Sequence, residues 1–91
     1  MRGNYFDLHY LSGSEAGARL GLIVAKRLAR RAVQRNLLKR IAREAFRLAR
    51  PGLPAHDLVL RLTKRPGDLL DSGARRSWRA DIEQLLARLP R

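Results

Sequence analysis

Between Lys26 and Arg50 the chain carries ten Lys and Arg residues against a single acid, Glu44. Guanidinium and ammonium groups at this density do one kind of chemistry well, which is to hold phosphates. Arg offers a planar fork that grips two phosphate oxygens or stacks on a base, and Lys supplies a point charge. Arg35, Asn36, Lys39, Arg40, Arg43, Arg47 and Arg50 recur at three- and four-residue spacing. At about 100° per residue they fall inside an arc of roughly 140° on a helix, with Lys26 and Arg27 just ahead of it. A charged helix face is ordinarily only solvated, but it then interleaves Glu with Lys or Arg to offset self-repulsion. Here the acids are missing. Unneutralised like charges work against the free fold, so the pattern points to a polyanion as partner. An anionic membrane surface would call for aromatic anchors on the opposite arc, which holds only medium-sized aliphatics.

The other residues that could do chemistry are few. No Ser-His-Asp order, paired carboxylates or phosphate-binding glycine loop is present, so no catalytic residue is assigned. Two histidines far apart, His9 and His56, without any cysteine, do not make a metal site. His56 is placed in a loop, and Asp68 and Asp71, ahead of a helix, as cap candidates. Tyr5, Asp7 and His9 alternate at a two-residue period and share one face of a strand, opposite Phe6, Leu8 and Tyr10.

These groups need a scaffold, and 91 residues with no cysteine and a net charge of +12 allow only one small domain, residues 1–91, with a thin core. No apolar run approaches the roughly 18 residues of a membrane span, and no signal-like segment opens the chain, which places it in the cytoplasm. Its charge repels its own copies, so it is expected to be monomeric alone. Tyr5–Leu11 reads as a strand and Arg19–Ala25 as a second, the two forming an antiparallel hairpin. A helix is predicted over about residues 30–49, burying Val33, Leu37, Ile41, Ala45 and Leu48, and Pro51-Gly52 ends it. Asp57–Lys64 reads as a third strand. Residues 72–89 read as a second helix whose stripe is Trp78, Ile82, Leu85 and Leu89. Phe6, Leu8, Tyr10, Trp78 and Phe46 are assigned to the core. The order β-β-α-β-α implies an α+β fold (an α/β sandwich), a three- to four-stranded sheet packed against helices.

The segment AKRLARRAVQRNLLKRIAREAFR, residues 25–47, closely resembles the signature of the bacterial ribonuclease P protein subunit. The matches are Lys26-Arg27, Arg35-Asn36, Lys39-Arg40 and Arg43-Glu44-Ala45-Phe46-Arg47. The flanking RLGLIVA and LPAHDLVL follow the family in order and spacing, so the likeness runs from Tyr5 to the second helix. One departure is Leu37, where the family carries a further Arg. Another is the start: family members usually begin with an extra helix bearing two phenylalanines that walls a cleft, so either the start is truncated here or the protein is a reduced version whose cleft is open on that side.

The resemblance implies a protein component of an endoribonuclease that removes the 5′ leader from precursor tRNA, a non-catalytic subunit within a ribonucleoprotein. Its partners would be ribonuclease P RNA and precursor tRNA, with no membrane and no small-molecule substrate. The protein alone would bind no cofactor, and Mg²⁺ would belong to the RNA that does the hydrolysis. The RNA-binding residues it implies are Lys26, Arg27, Arg35, Asn36, Lys39, Arg40 and Arg43, with Arg47 and Arg50 expected to broaden the patch. Tyr5, Asp7 and His9 would line the leader cleft beside the basic helix. It also implies a left-handed β-α-β crossover, against the usual rule. The alternative is a general basic RNA-binding or ribosomal-type module without a processing role.

Overall fold

The computed structural model describes residues 1–67 and 70–90. Three strands, β1 (Phe6–Ser12), β2 (Arg19–Ile23) and β3 (His56–Leu62), form one sheet, and two helices, α1 (Ala32–Ala49) and α2 (Ser72–Ala87), cover one of its faces. The strand order is β1-β3-β2. β1 runs antiparallel to β3, with Leu8 opposite Leu60, and β2 runs parallel to β3, with Leu22 also opposite Leu60.

The expected β1–β2 hairpin therefore does not form. β3 lies between them because its inner side chains, Leu58, Leu60 and Leu62, are all buried and want neighbours on both sides. A parallel β2–β3 pair needs a long crossover, which α1 supplies. The loop between β1 and β2 turns at Gly13 and Gly17, both at positive φ, and is tied down by Ser14 N–H donating to Ala55 O. β2 ends at Ile23, short of the expected Ala25.

Phe6 and Leu8 from β1, the three β3 leucines, Leu38, Ala42 and Ala45 from α1, and Trp78, Ile82, Leu85 and Leu86 from α2 make a single core. The helix α1 leans on α2 and the β2 side of the sheet, while α2 leans on β1. This changes which stripe of α1 is hidden. Val33 and Leu48, expected inside, are 58% and 56% exposed, and Leu37 and Ile41 are half-buried at the flank. The buried line is Gln34, Leu38, Ala42 and Ala45, whose small alanines let the helices approach. Gln34 is held there by donating its side-chain amide to Gly67 O.

Tyr10, assigned to the core, is 43% exposed at the far end of β1 and stacks on His56, ring centroids 5.2 Å apart. His56 itself is a buried β3 residue, not a loop residue, and its Nε2 lies 2.8 Å from Pro90 O. Asp71 caps α2 as expected, accepting from Ala74 N–H at 2.8 Å; Asp68 lies outside the described residues.

The N-terminal residues close the outer edge of β1. Leu8 N–H donates to Met1 O and Gly3 N–H to Phe6 O, so a short extended piece pairs there. A buried carboxylate fixes the turn that follows. Asp81 of α2 accepts three successive backbone N–H groups, from Asn4 at 2.7 Å, Tyr5 at 2.9 Å and Phe6 at 3.1 Å.

Candidate nucleic-acid interface

The α1 helix presents its basic residues on the side away from the Leu38–Ala42–Ala45 line, and Asn36, Arg40, Arg43 and Arg47 are exposed. Lys39 and Arg35 are half-buried at the margins. The crest divides by what its groups already hold. Arg35 Nη1 donates to Ala29 O at 3.0 Å and Arg30 O at 2.7 Å, which braces the loop entering α1. Arg50 reaches back to Ala18 O and Ala16 O, pinning the β1–β2 loop to the end of α1. Arg47 pairs with Glu44 at 2.7 Å. Among the described residues Lys26, Arg27, Lys39, Arg40 and Arg43 hold no carboxylate, and no acid from another element reaches the crest.

The hydrogen bond and charge of Arg47 hold the Glu44 carboxyl below its ordinary range, so Glu44 is ionised at neutral pH and partly offsets Arg47 in a solvent-exposed pair. Arg19 is likewise occupied by a two-pronged bond to Asp57, at 2.7 and 2.9 Å, across the β2–β3 register. That hydrogen bond lowers the Asp57 carboxyl in the same way. On the crest, the cations left without a carboxylate or carbonyl partner among the described residues are thus Lys39, Arg40 and Arg43, with Lys26 and Arg27 in the turn that follows β2.

The trio Tyr5, Asp7 and His9 is not brought together. Asp7 and His9 lie opposite Arg61 and Val59 on the sheet face turned away from both helices, a face that also exposes Leu11 and Ile23. Tyr5 precedes β1 and instead sits with Lys64, Ser77 and Gln84 around a depression beside α2, the Lys64 ammonium 5.9 Å from its ring centre. The depression next to the basic crest is a different one. It lies between α1 and β2, is about 350 Å³, and is lined by Leu20, Leu22, Lys39, Arg43 and Phe46.

Sequence reasoning missed a second basic concavity, also about 350 Å³, where Arg30, Arg31 and Arg65 meet around Leu28, Gln34 and Gly67 at the start of α1. The Arg30-Arg31 pair was visible as charge. Its junction with Arg65 depends on where the end of β3 falls in space. Among the described residues no group of three or more His, Cys, Asp or Glu is placed to hold a metal ion, and no helix is long and apolar enough to cross a membrane.

A one-sided α+β sandwich whose crossover helix carries an acid-poor arginine crest has the electrostatic footprint of a class, the small nucleic-acid-binding proteins. Comparison with known proteins narrows it. The family model described as Ribonuclease P matches residues 1–89. The ribonuclease P protein component of Azoarcus sp. (strain BH72) is 50% identical over 90 residues, 99% of this chain and 72% of that protein. That of Aromatoleum aromaticum is 57% identical over 62 residues, 68% of this chain and 52% of the relative, so the chain spans only about half of that protein's length. Among solved structures, the RNase P protein from Thermotoga maritima superposes with a TM-score of 0.82 at 26% identity, covering 100% of this chain and 83% of that one. The Staphylococcus aureus RNase P protein gives 0.80 at 25%, covering 96% and 76%. The chain belongs to the ribonuclease P protein family.

Proposed function

We propose that this chain acts as the protein component of ribonuclease P, binding the catalytic RNA through α1 and assisting endonucleolytic removal of the 5′ leader from precursor tRNA in the cytoplasm. The observation that carries this is the set of cations Lys39, Arg40 and Arg43 along the outer side and margin of α1, which hold no carboxylate among the described residues, in a chain of this family. They neutralise phosphates and release counterions, so affinity falls steeply with salt. Lys26, Arg27 and Asn36 extend that surface, and Arg35 and Arg47 border it.

In this family the RNA supplies the chemistry together with Mg²⁺. The described side chains offer no donor set for that ion, and no step is routed through a protein-bound metal. The protein's part is to hold RNA and substrate so that the scissile phosphate is fixed. On the open sheet face, His9 and Asp7 remain the proposed contacts to the single-stranded leader, the imidazole stacking on a base without reading its identity. Tyr5 would act from the side of α2.

A competition assay tests the choice of RNA. Ribonuclease P RNA from the same organism is expected to displace a labelled copy of itself at concentrations at which bulk structured RNA does not. Equal displacement by both would reduce the protein to a general basic RNA-binding module.

A further inference from the structure

We propose that the groove between α1 and the outer edge of β2 receives one unpaired RNA nucleotide, its base against Phe46 and its phosphate between Lys39 and Arg43. The inference rests on the RNA-facing orientation of α1 and adds a specific slot to it. The groove has two kinds of wall. Leu20, Leu22 and the half-buried Phe46 ring give it an apolar floor, while Lys39 and Arg43, one helical turn apart, stand at its rim. An apolar floor under a charged rim is what a nucleotide presents in mirror image, a flat base with a phosphate at its edge.

Three further observations favour an unpaired nucleotide. Among the described residues no acid lines the groove, and the nearest one in sequence, Glu44, is paired with Arg47. A volume of about 350 Å³ lies at the small end of ligand pockets, suited to a single nucleotide whose base is free of its pair. β2 is an edge strand, and among the described residues its outer side pairs with no other strand. That edge can offer backbone N–H and C=O groups to a base. A purely acidic chain such as polyglutamate would match the cations but has no flat apolar group to set against the ring.

Two fluorescein-labelled single-stranded RNAs of equal length test the proposal, one of oligoadenylate and one with abasic riboses, their binding followed by anisotropy. The intact chain is expected to prefer oligoadenylate. Phe46→Leu, which keeps an apolar group of similar bulk, should weaken oligoadenylate binding about tenfold, the loss of one stacked base, and leave the abasic strand nearly unchanged. Phe46→Trp should retain the preference. Lys39→Ala and Arg43→Ala should weaken both strands, each lowering the salt slope by about one. Independently of any variant, the Phe46 ring resonances should shift when oligoadenylate is added and not when the abasic strand is.

Equal losses for the two strands in Phe46→Leu, unmoved ring resonances, or displacement of the RNA by polyglutamate as effectively as by oligoadenylate would overturn the slot. If Phe46→Leu is silent while Lys39→Ala and Arg43→Ala still weaken binding, the slot fails and the RNA-facing helix stands. If the alanine variants are silent too, both fail.

Discussion

Replacing Lys39, Arg40 and Arg43 together by alanine is expected to weaken binding to ribonuclease P RNA by about a hundredfold or more and to lower the slope of log affinity against log salt by about three. None of the three side chains holds another part of the molecule among the described residues, so their charge is available to phosphates and their loss leaves no orphaned partner. Alanine also favours the helix and removes like-charge repulsion, so the unfolding midpoint should stay where it is or rise. Binding isotherms over a salt series, with thermal unfolding of the same samples, check both halves. Arg35→Ala makes the contrast. Its guanidinium bonds to Ala29 O and Arg30 O, so that variant should lose affinity and also loosen the entry into α1.

Asp81→Ala is expected to cost about 3 kcal/mol of stability, a substantial part of the roughly 5–15 kcal/mol available to a domain of this kind. The carboxylate accepts from the N–H groups of Asn4, Tyr5 and Phe6, and without it three donors between the N-terminal segment and β1 lose their partner. Asp81→Asn should fall in the same direction, because its amide nitrogen points a donor at donors. Gly3→Ala should do likewise, since a Cβ there would sit 2.6 Å from Asp81 Oδ1. Urea unfolding measures the loss. A midpoint unchanged in Asp81→Ala would show that the N-terminal turn does not depend on this carboxylate.

Element types and order were legible in the sequence because each rests on local periodicity. The alternation of Phe6 with Leu8 and of Leu58, Leu60 and Leu62 announced strands, and the Trp78–Ile82–Leu85–Leu89 stripe announced α2. Strand pairing was not local. β1 and β2 are adjacent in sequence, yet both are drawn to β3, whose buried leucines need a neighbour on each side. The rotation of α1 was hidden for a similar reason. A helix wheel ranks Val33 and Leu48 as apolar, but α2 and β2 decide which apolar residues are covered, and small Ala42 and Ala45 allow the closest approach.

The site divided along the same line. The arginine crest could be read directly because charge on a helix face is a property of spacing alone. Which crest members are free could not be, since Arg35 is spent on carbonyls of the loop entering α1 and Arg50 on carbonyls of the β1–β2 loop. Tyr5 was grouped with Asp7 and His9 by parity, but the strand begins only at Phe6, where the Asp81 cradle has already turned the chain toward α2. The slot at Phe46 escaped because an aromatic beside a sheet ordinarily reads as packing, and only the free edge of β2 leaves one side of it open.

The most direct measurement is leader removal from precursor tRNA by the cognate catalytic RNA at low Mg²⁺, with and without this chain. The chain alone is expected to cut nothing, its addition to restore accurate cleavage by the RNA, and the Lys39, Arg40 and Arg43 triple alanine variant to restore it only at far higher protein concentration. Cleavage that is unchanged by saturating protein, or rescued equally well by the triple variant, would contradict the proposed role.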